Sequence, residues 1–78
     1  MENYVKEFRS PVLLNFKNRA SAKDVKYLTG QADEFGGRLD FIVGVGSFLV
    51  FTFSDKAKSG EFKNRALMYM DMLEGEHL

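Results

Sequence analysis

Apolar residues recur at every second position in three stretches of this chain, which is the spacing of a half-buried β-strand. In the first stretch, Val12 to Phe16, the even-numbered apolar residues share one face, and Leu13 and Asn15 lie on the other. Pro11 has no N–H to donate and suits the first residue or the edge of a strand. We therefore predict a strand here, with Tyr4–Phe8 as a candidate additional edge strand.

The other two alternating stretches flank a glycine-containing turn and predict a β-hairpin. In the first of them one face carries Leu39, Phe41, Val43 and Val45, and the other carries Arg38, Asp40, Ile42 and Gly44. In the second, one face carries Leu49, Phe51 and Phe53, and the other carries Phe48, Val50 and Thr52. The sequence GVGS between them can turn the chain, because glycine accepts positive φ without strain. The uncharged run from Phe41 to Phe53 is shorter than the ~20 residues that a membrane helix needs.

Spacings of three and four residues predict an amphipathic helix over residues 21–35. Ser21 is a suitable N-cap, and Asp24 three residues later forms a near capping box and favours the positive end of the helix. The stripe expected to face the core comprises Val25, Leu28, Ala32 and Phe35. The pair Gly36–Gly37 provides a left-handed stop. Gly30 inside the helix costs about 1 kcal/mol relative to alanine, and marks either a tolerated position or a point of close packing.

A second helical stripe is present in SGEFKNRALMYMDMLEG, residues 59–75. Ser59 or Asp55 is the candidate N-cap, and Gly75 is the candidate end. The stripe comprises Phe62, Ala66, Tyr69, Met70 and Leu73. Outside it lie three more apolar residues, Leu67, Met68 and Met72. This helix is therefore apolar around more of its circumference than contact with one sheet requires.

The order β-α-β-β-α predicts a single α+β domain over residues 1–78. We expect a two-layer sandwich, in which an antiparallel sheet of three to four strands carries two helices on one face. A chain of 78 residues has a small core, and such domains commonly need a disulfide, a metal or a partner chain. There is no cysteine, and the one histidine, His77, is next to last, so we expect no disulfide and no metal site. Self-association is the support that remains.

Charge further narrows the functional classes. Lysine plus arginine equals aspartate plus glutamate at eleven each, which argues against a dedicated nucleic-acid binder. Basic residues concentrate near the start, at Arg9, Lys17, Arg19, Lys23 and Lys26, and acidic residues near the end, at Asp71, Glu74 and Glu76. Residues 1–15 lack the pattern of a signal peptide. Together with the absence of cysteine, this favours a cytoplasmic protein.

The sequence offers little material for catalysis or for cofactor binding, so we expect no enzyme and no cofactor. No cysteine is available as a nucleophile, and the serines lack a base nearby in the sequence. Caps and turns explain most of these serines. Asp33 and Glu34 are adjacent on a helix and do not face each other. GVGSFL lacks the third glycine of a dinucleotide loop and lies between two strands, whereas that loop opens a helix.

The order β-α-β-β-α and the segment FLVF, residues 48–51, resemble the RNA-recognition-motif family and the end of its aromatic octapeptide. This resemblance implies base stacking on an open sheet face. The basic residue and the first aromatic of the octapeptide are missing, and Leu13 stands where an aromatic is expected. The element order is also similar to part of the phosphocarrier-protein fold. The phosphorylatable histidine expected before the first helix is absent from KNRASAKD, which excludes phosphotransfer.

An apolar surplus is the strongest functional indication in the sequence. Two helices can cover one face of a small sheet but not both. We expect them to cover the face that carries Val12, Leu14, Phe41, Val43, Leu49, Phe51 and Phe53. The other face then stays open, and open apolar patches commonly mark interaction sites. Methionines beyond the helix stripe add an adaptable apolar surface. The predicted partner-binding residues are Leu13, Ile42, Phe48, Val50, Met68 and Met72. We expect a non-catalytic protein-binding or regulatory module, without a small-molecule substrate, that pairs as a homodimer through a sheet face or an edge strand.

Two alternatives remain at the level of sequence. Tyr4, Val5 and Phe8 can fold back over part of the open face and leave no surface for a partner. The protein can instead be a weak binder of single-stranded RNA that uses Phe48 and Phe51 together with the basic residues from Lys17 to Lys26.

Overall fold

The computed structural model describes residues 10–75 of the chain. The elements are β1 (Ser10–Asn15), α1 (Ala22–Glu34), β2 (Gly37–Val43), a 3₁₀ turn (Gly44–Gly46), β3 (Phe48–Phe53) and α2 (Lys56–Gly75). This confirms the predicted order β-α-β-β-α. The candidate strand Tyr4–Phe8 and His77 lie outside the described residues.

The three strands of the described region form one antiparallel sheet in the order β1-β3-β2. Because β3 runs antiparallel to both of its neighbours, β1 and β2 are parallel to each other, with β3 inserted between them. The unit β1-α1-β2 is therefore a split β-α-β motif. It confirms the predicted α+β class, with β1 and β2 as the edges of the described sheet.

The core lies between one face of the sheet and the two helices. Phe62 of α2 packs over the central strand, with its ring centroid 4.9 Å from that of Phe51 and 5.0 Å from that of Phe53. The buried apolar residues are Val12, Leu14, Phe16, Leu28, Ala32, Leu49, Phe51, Phe53, Phe62, Ala66 and Met70. All of them belong to the faces that alternation and helical spacing predicted to be internal. Both helices therefore cover the same side of the sheet.

The alternation predicted for β2 fails after Leu39, because a β-bulge at Asp40 interrupts the pairing with β3. Leu39 lies opposite Phe51, but the next paired residue is Phe41, which lies opposite Val50. A bulge places two residues of one strand against one of its partner and so reverses the sides that follow. Phe41 and Val43, predicted to be internal, are consequently exposed on the face away from the helices.

Helix α1 begins with the predicted capping box. The Asp24 N–H donates to Ser21 Oγ at 3.1 Å, and the Ser21 N–H donates to Asp24 Oδ2 at 3.0 Å. Gly36 has φ 77° and reverses the chain into β2, as predicted. Gly37 instead starts β2, where a Cβ would overlap the Phe53 ring. Apart from its chain neighbours and the backbone of its own helix, no atom lies within 4 Å of a Cβ built on Gly30, so this glycine is tolerated and is not a point of close packing within the described chain.

Helix α2 begins at Lys56, directly after Asp55, one of the two predicted N-cap candidates. Asp55 is its cap, since its Oδ1 accepts from the N–H groups of Ala57 at 2.8 Å and Lys58 at 3.3 Å. The hydroxyl of Ser59, the other candidate cap, lies inside the helix and donates to the Lys56 carbonyl at 2.7 Å. The predicted stripe faces the core, while Leu67, Met68 and Met72 are exposed, as expected. No helix in the described part of the chain is both long and apolar enough to cross a membrane.

The bulge can be tested by comparing Phe51 of β3 with Phe41 of β2. Uninterrupted alternation would bury both on the internal face, whereas the bulge exposes Phe41. Phe51→Ala is expected to cost about 3–5 kcal/mol of unfolding free energy, because it empties a fully buried site. Phe41→Thr is expected to cost less than about 1 kcal/mol, because it removes only an exposed cross-strand contact. Urea unfolding at low protein concentration measures both. Similar losses for the two variants would contradict the observed register.

Candidate protein interface

Three cross-strand rows make up the sheet face that points away from the helices. From β1 across β3 to β2, the rows are Pro11–Thr52–Arg38, Leu13–Val50–Phe41 and Asn15–Phe48–Val43. Residues directly opposite each other in an antiparallel pair project on the same side, about 4.5–5.5 Å apart. Each row is therefore a line of neighbouring side chains across the whole sheet. We call the second and third rows, without Asn15, the open apolar face.

The open apolar face is exposed at both edges of the described sheet. Leu13 is 60% exposed and Phe41 is 62% exposed, and between them lies the partly buried Val50. Val43 and Phe48 are exposed as well. With phenylalanine surfaces near 200 Å², these side chains present on the order of 400 Å² of apolar area. Contiguous patches of this size on small proteins are often interaction sites.

The first row gives this face a polar end. The Thr52 hydroxyl donates to Asp40 Oδ2 at 3.3 Å, and Arg38 Nε lies 3.7 Å from Asp40 Oδ1. Asp40 reaches Thr52 because the bulge places it and Phe41 on the same side of the sheet. The ion pair is largely exposed and contributes little to stability. It marks the boundary of the open apolar face on the side remote from the hairpin turn.

The structure separates the six predicted partner-binding residues into three places. Leu13, Phe48 and Val50 share the open apolar face. Ile42 lies opposite Leu49, on the helix side of edge strand β2, and does not belong to this face. The alternation missed Phe41 and Val43, because no residue type in RLDFIVGV signals where an extra residue enters the pairing.

Met68 and Met72, the other two predicted residues, lie on a different surface formed by the two helices. They line a shallow groove together with Tyr27, Arg65 and Tyr69. The rings of Tyr27 and Tyr69 stack at a centroid distance of 4.3 Å, which joins α1 to α2 along this groove. The Arg65 guanidinium lies 5.4 Å from the centre of the Phe35 ring. The groove is on the helix layer, so it is separated from the open apolar face by the thickness of the domain.

Asp24 links the cap of α1 to α2. The Tyr69 hydroxyl donates to Asp24 Oδ1 at 2.7 Å, while Asp24 Oδ2 accepts from the Ser21 N–H. Partial burial raises the pKa of Asp24, but the hydrogen bonds from Tyr69 and Ser21 and the charge of Lys23 lower it, so the pKa lies below its ordinary value. Hydrogen bonds to the charged form account for that direction. These partners are those of a helix cap and an interhelical contact, so the shift has a structural explanation.

A small cavity lies where the loop after β1 meets the end of α2. It is lined by Phe16, Lys17, Asn18, Arg19, Asp24, Met70 and Leu73. Its volume is about 120 Å³, whereas sites for drug-sized ligands and cofactors occupy about 300–1,000 Å³. No cluster of three or more metal-ligating side chains occurs among the residues that the structure describes.

The RNA-binding hypothesis named a pair of rings that the fold separates. Phe48 is on the open apolar face, but Phe51 is fully buried in the core and offers no surface to a base. Lys23 and Lys26 belong to α1, which covers the opposite side of the sheet. Arg38 is the one basic side chain in the three described rows of that face. Phe48 and Phe51 therefore cannot stack on bases from one surface, and Lys23 and Lys26 lie on the other layer of the described chain.

Comparisons with family models, curated proteins and solved structures found no match. A functional assignment therefore depends on the chemistry of the surface itself. The open apolar face and the groove on the helix layer are two exposed apolar surfaces formed by the described residues.

The contact between Asp24 and α2 should make stability depend on pH in a defined direction. A lowered pKa in the folded state stabilises the fold above the ordinary pKa of aspartate, and this contribution is lost as the pH falls through the folded-state value. Asp24→Asn is expected to destabilise the protein at pH 7, and the difference from the wild type should shrink below about pH 4. Asp33→Asn, on the exposed surface of the same helix, is the control.

Thermal unfolding of the three proteins between pH 7 and pH 2.5 gives the measurement. A gap between Asp24→Asn and the wild type that stays constant, or widens, towards low pH would contradict the assigned hydrogen bonds.

Proposed function

We propose that this protein is a small non-catalytic binding module, cytoplasmic in location, that forms a homodimer through its open apolar face. The observation that carries the proposal is the pair of rows Leu13–Val50–Phe41 and Phe48–Val43, which present two rings and three aliphatic side chains without a charge. No described helix or strand lies over this face. Burying it in a second copy removes apolar area from water, which is favourable at roughly 25 cal/mol per Å².

A second copy suits this face better than a dissimilar partner. The common two-fold dimer brings the same patch of both subunits together, so the patch must be complementary to itself. An uncharged apolar surface meets this condition, because it opposes no like charges. The core is small, and the chain has no cysteine that could form a disulfide. Association with a second copy would therefore add stability that small domains commonly need.

Pairing through the face is favoured over pairing through a strand edge. Pro11 removes one N–H from edge strand β1, and proline on an edge is a common protection against strand addition. The bulge at Asp40 interrupts the other described edge, β2. Both devices weaken a continuous intermolecular sheet. Neither impedes the stacking of two sheets face to face, about 10 Å apart.

The area available sets the strength of the expected dimer. The open apolar face supplies on the order of 400 Å² per subunit, about half of the ~800 Å² that each partner contributes to a standard interface. We therefore expect a weak dimer that dissociates in the micromolar range, and a module whose state responds to its own concentration. A regulatory role is consistent with this range.

Sedimentation velocity from about 1 µM to about 1 mM tests the proposal, since weak complexes dissociate within this span. The wild type should shift from monomer to dimer, equally at low and high salt, because the interface is apolar. Leu13→Lys with Phe41→Lys should remain monomeric. Met68→Lys with Met72→Lys is the matched control. Met68 and Met72 are 67% and 66% exposed, close to Leu13 and Phe41 at 60% and 62%, but they lie on the helix layer.

A wild type that stays monomeric to 1 mM would overturn the proposal. If only the Met68/Met72 variant loses the dimer, the interface lies in the helix groove and not on the open apolar face. The RNA-binding alternative would gain support if Phe48→Ala lowered affinity for single-stranded RNA and that affinity fell steeply with salt.

A further inference from the structure

The hairpin turn between β2 and β3 holds a valine in a conformation that valine disfavours. Gly44, Val45 and Gly46 all have positive φ, at 62°, 56° and 100°. Two of them are glycines, for which positive φ costs little. Val45, with φ 56° and ψ 37°, is in the left-handed helical region, where its branched Cβ crowds the following carbonyl. Hairpin turns of this hand favour Asn, Asp or Gly at such positions.

Contacts on both sides prevent the turn from relaxing. The Ser47 N–H and hydroxyl both donate to the Gly44 carbonyl, at 3.2 Å and 2.9 Å. The Gly46 carbonyl accepts from the Ala20 N–H at 2.9 Å, and a Cβ on Gly46 would lie 3.1 Å from the Ala20 carbonyl oxygen. The turn is thus fixed to the loop between β1 and α1. Val45 keeps its strained backbone because its neighbours determine it.

The Val45 side chain itself gains no burial in the described fold that would offset this strain. The Val45 side chain is 77% exposed, the highest value among the large apolar residues of the described chain. An exposed, strained apolar residue loses stability in the isolated subunit without gaining burial. Backbone strain of this kind tends to persist at functional positions.

The turn follows the row Asn15–Phe48–Val43 directly, at the end of the sheet opposite the polar Arg38–Asp40 pair. We propose that Val45 is an anchor of the self-association surface and is buried by a second copy of the chain. This inference rests on the proposed function and extends the open apolar face beyond the sheet. It also supplies part of the area that the face alone lacks for a stable dimer.

Two measurements test the role of Val45: the Tm of the monomer, which should rise when the strain is relieved, and the affinity of the dimer, which should fall when the side chain is lost. Val45→Gly should raise the Tm of the monomer by about 4 °C or more, measured well below the dimer dissociation constant, because it relieves the strain. The same change should weaken dimerisation by about tenfold, as expected for loss of one buried apolar side chain. Val45→Asn should act similarly on both. Val45→Ile retains the apolar group and the strain, and should dimerise like the wild type without a gain in Tm.

The outcomes separate this inference from the proposed function. If Val45→Gly raises the Tm but leaves the dissociation constant unchanged, while Leu13→Lys with Phe41→Lys still abolishes the dimer, the anchor role is wrong and the proposed function stands. A lower Tm for Val45→Gly would remove the argument from strain and overturn the inference. If the wild type forms no dimer, both fail.

Discussion

The packing of Phe62 against Phe51 and Phe53 determines how the rest of this small domain is arranged. It fixes α2 over the central strand and so decides which side of β3 is internal. Phe48 and Val50 alternate with these residues and must point the other way. With both helices on one side of a three-stranded sheet, the described chain has no further element for the second side. The open apolar face is a direct consequence of having both helices on the same side of the sheet.

The bulge at Asp40 adapts edge strand β2 to the same face. It adds Phe41 and Val43 to the apolar rows, and it brings Asp40 towards Thr52 and Arg38 at the polar end. The bulge therefore enlarges the open apolar face and places a charged pair at one end of it. It also interrupts the edge of β2. The strained turn lies at the opposite end of the sheet.

Alternation and helical spacing predicted the elements, the capping box at Ser21 and nearly all of the core, because each follows from local periodicity and local hydrogen bonding. They failed where non-local pairing decides the outcome. A single sequence does not reveal where β2 gains an extra residue, so Ile42 was placed on the wrong face and Phe41 was missed. Nor does it reveal that Met72 and Phe48 lie on opposite layers, since this depends on how α2 packs across the sheet.

The central claim is that the open apolar face is covered by another copy of the chain. Filtered nuclear Overhauser spectroscopy on a mixed sample of isotope-labelled and unlabelled protein observes contacts between copies directly. We expect intermolecular contacts from the rings of Phe41 and Phe48 to the methyl groups of Leu13 and Val50. Contacts to these side chains that arise only within one chain, for instance from Tyr4 or Phe8, would contradict the account.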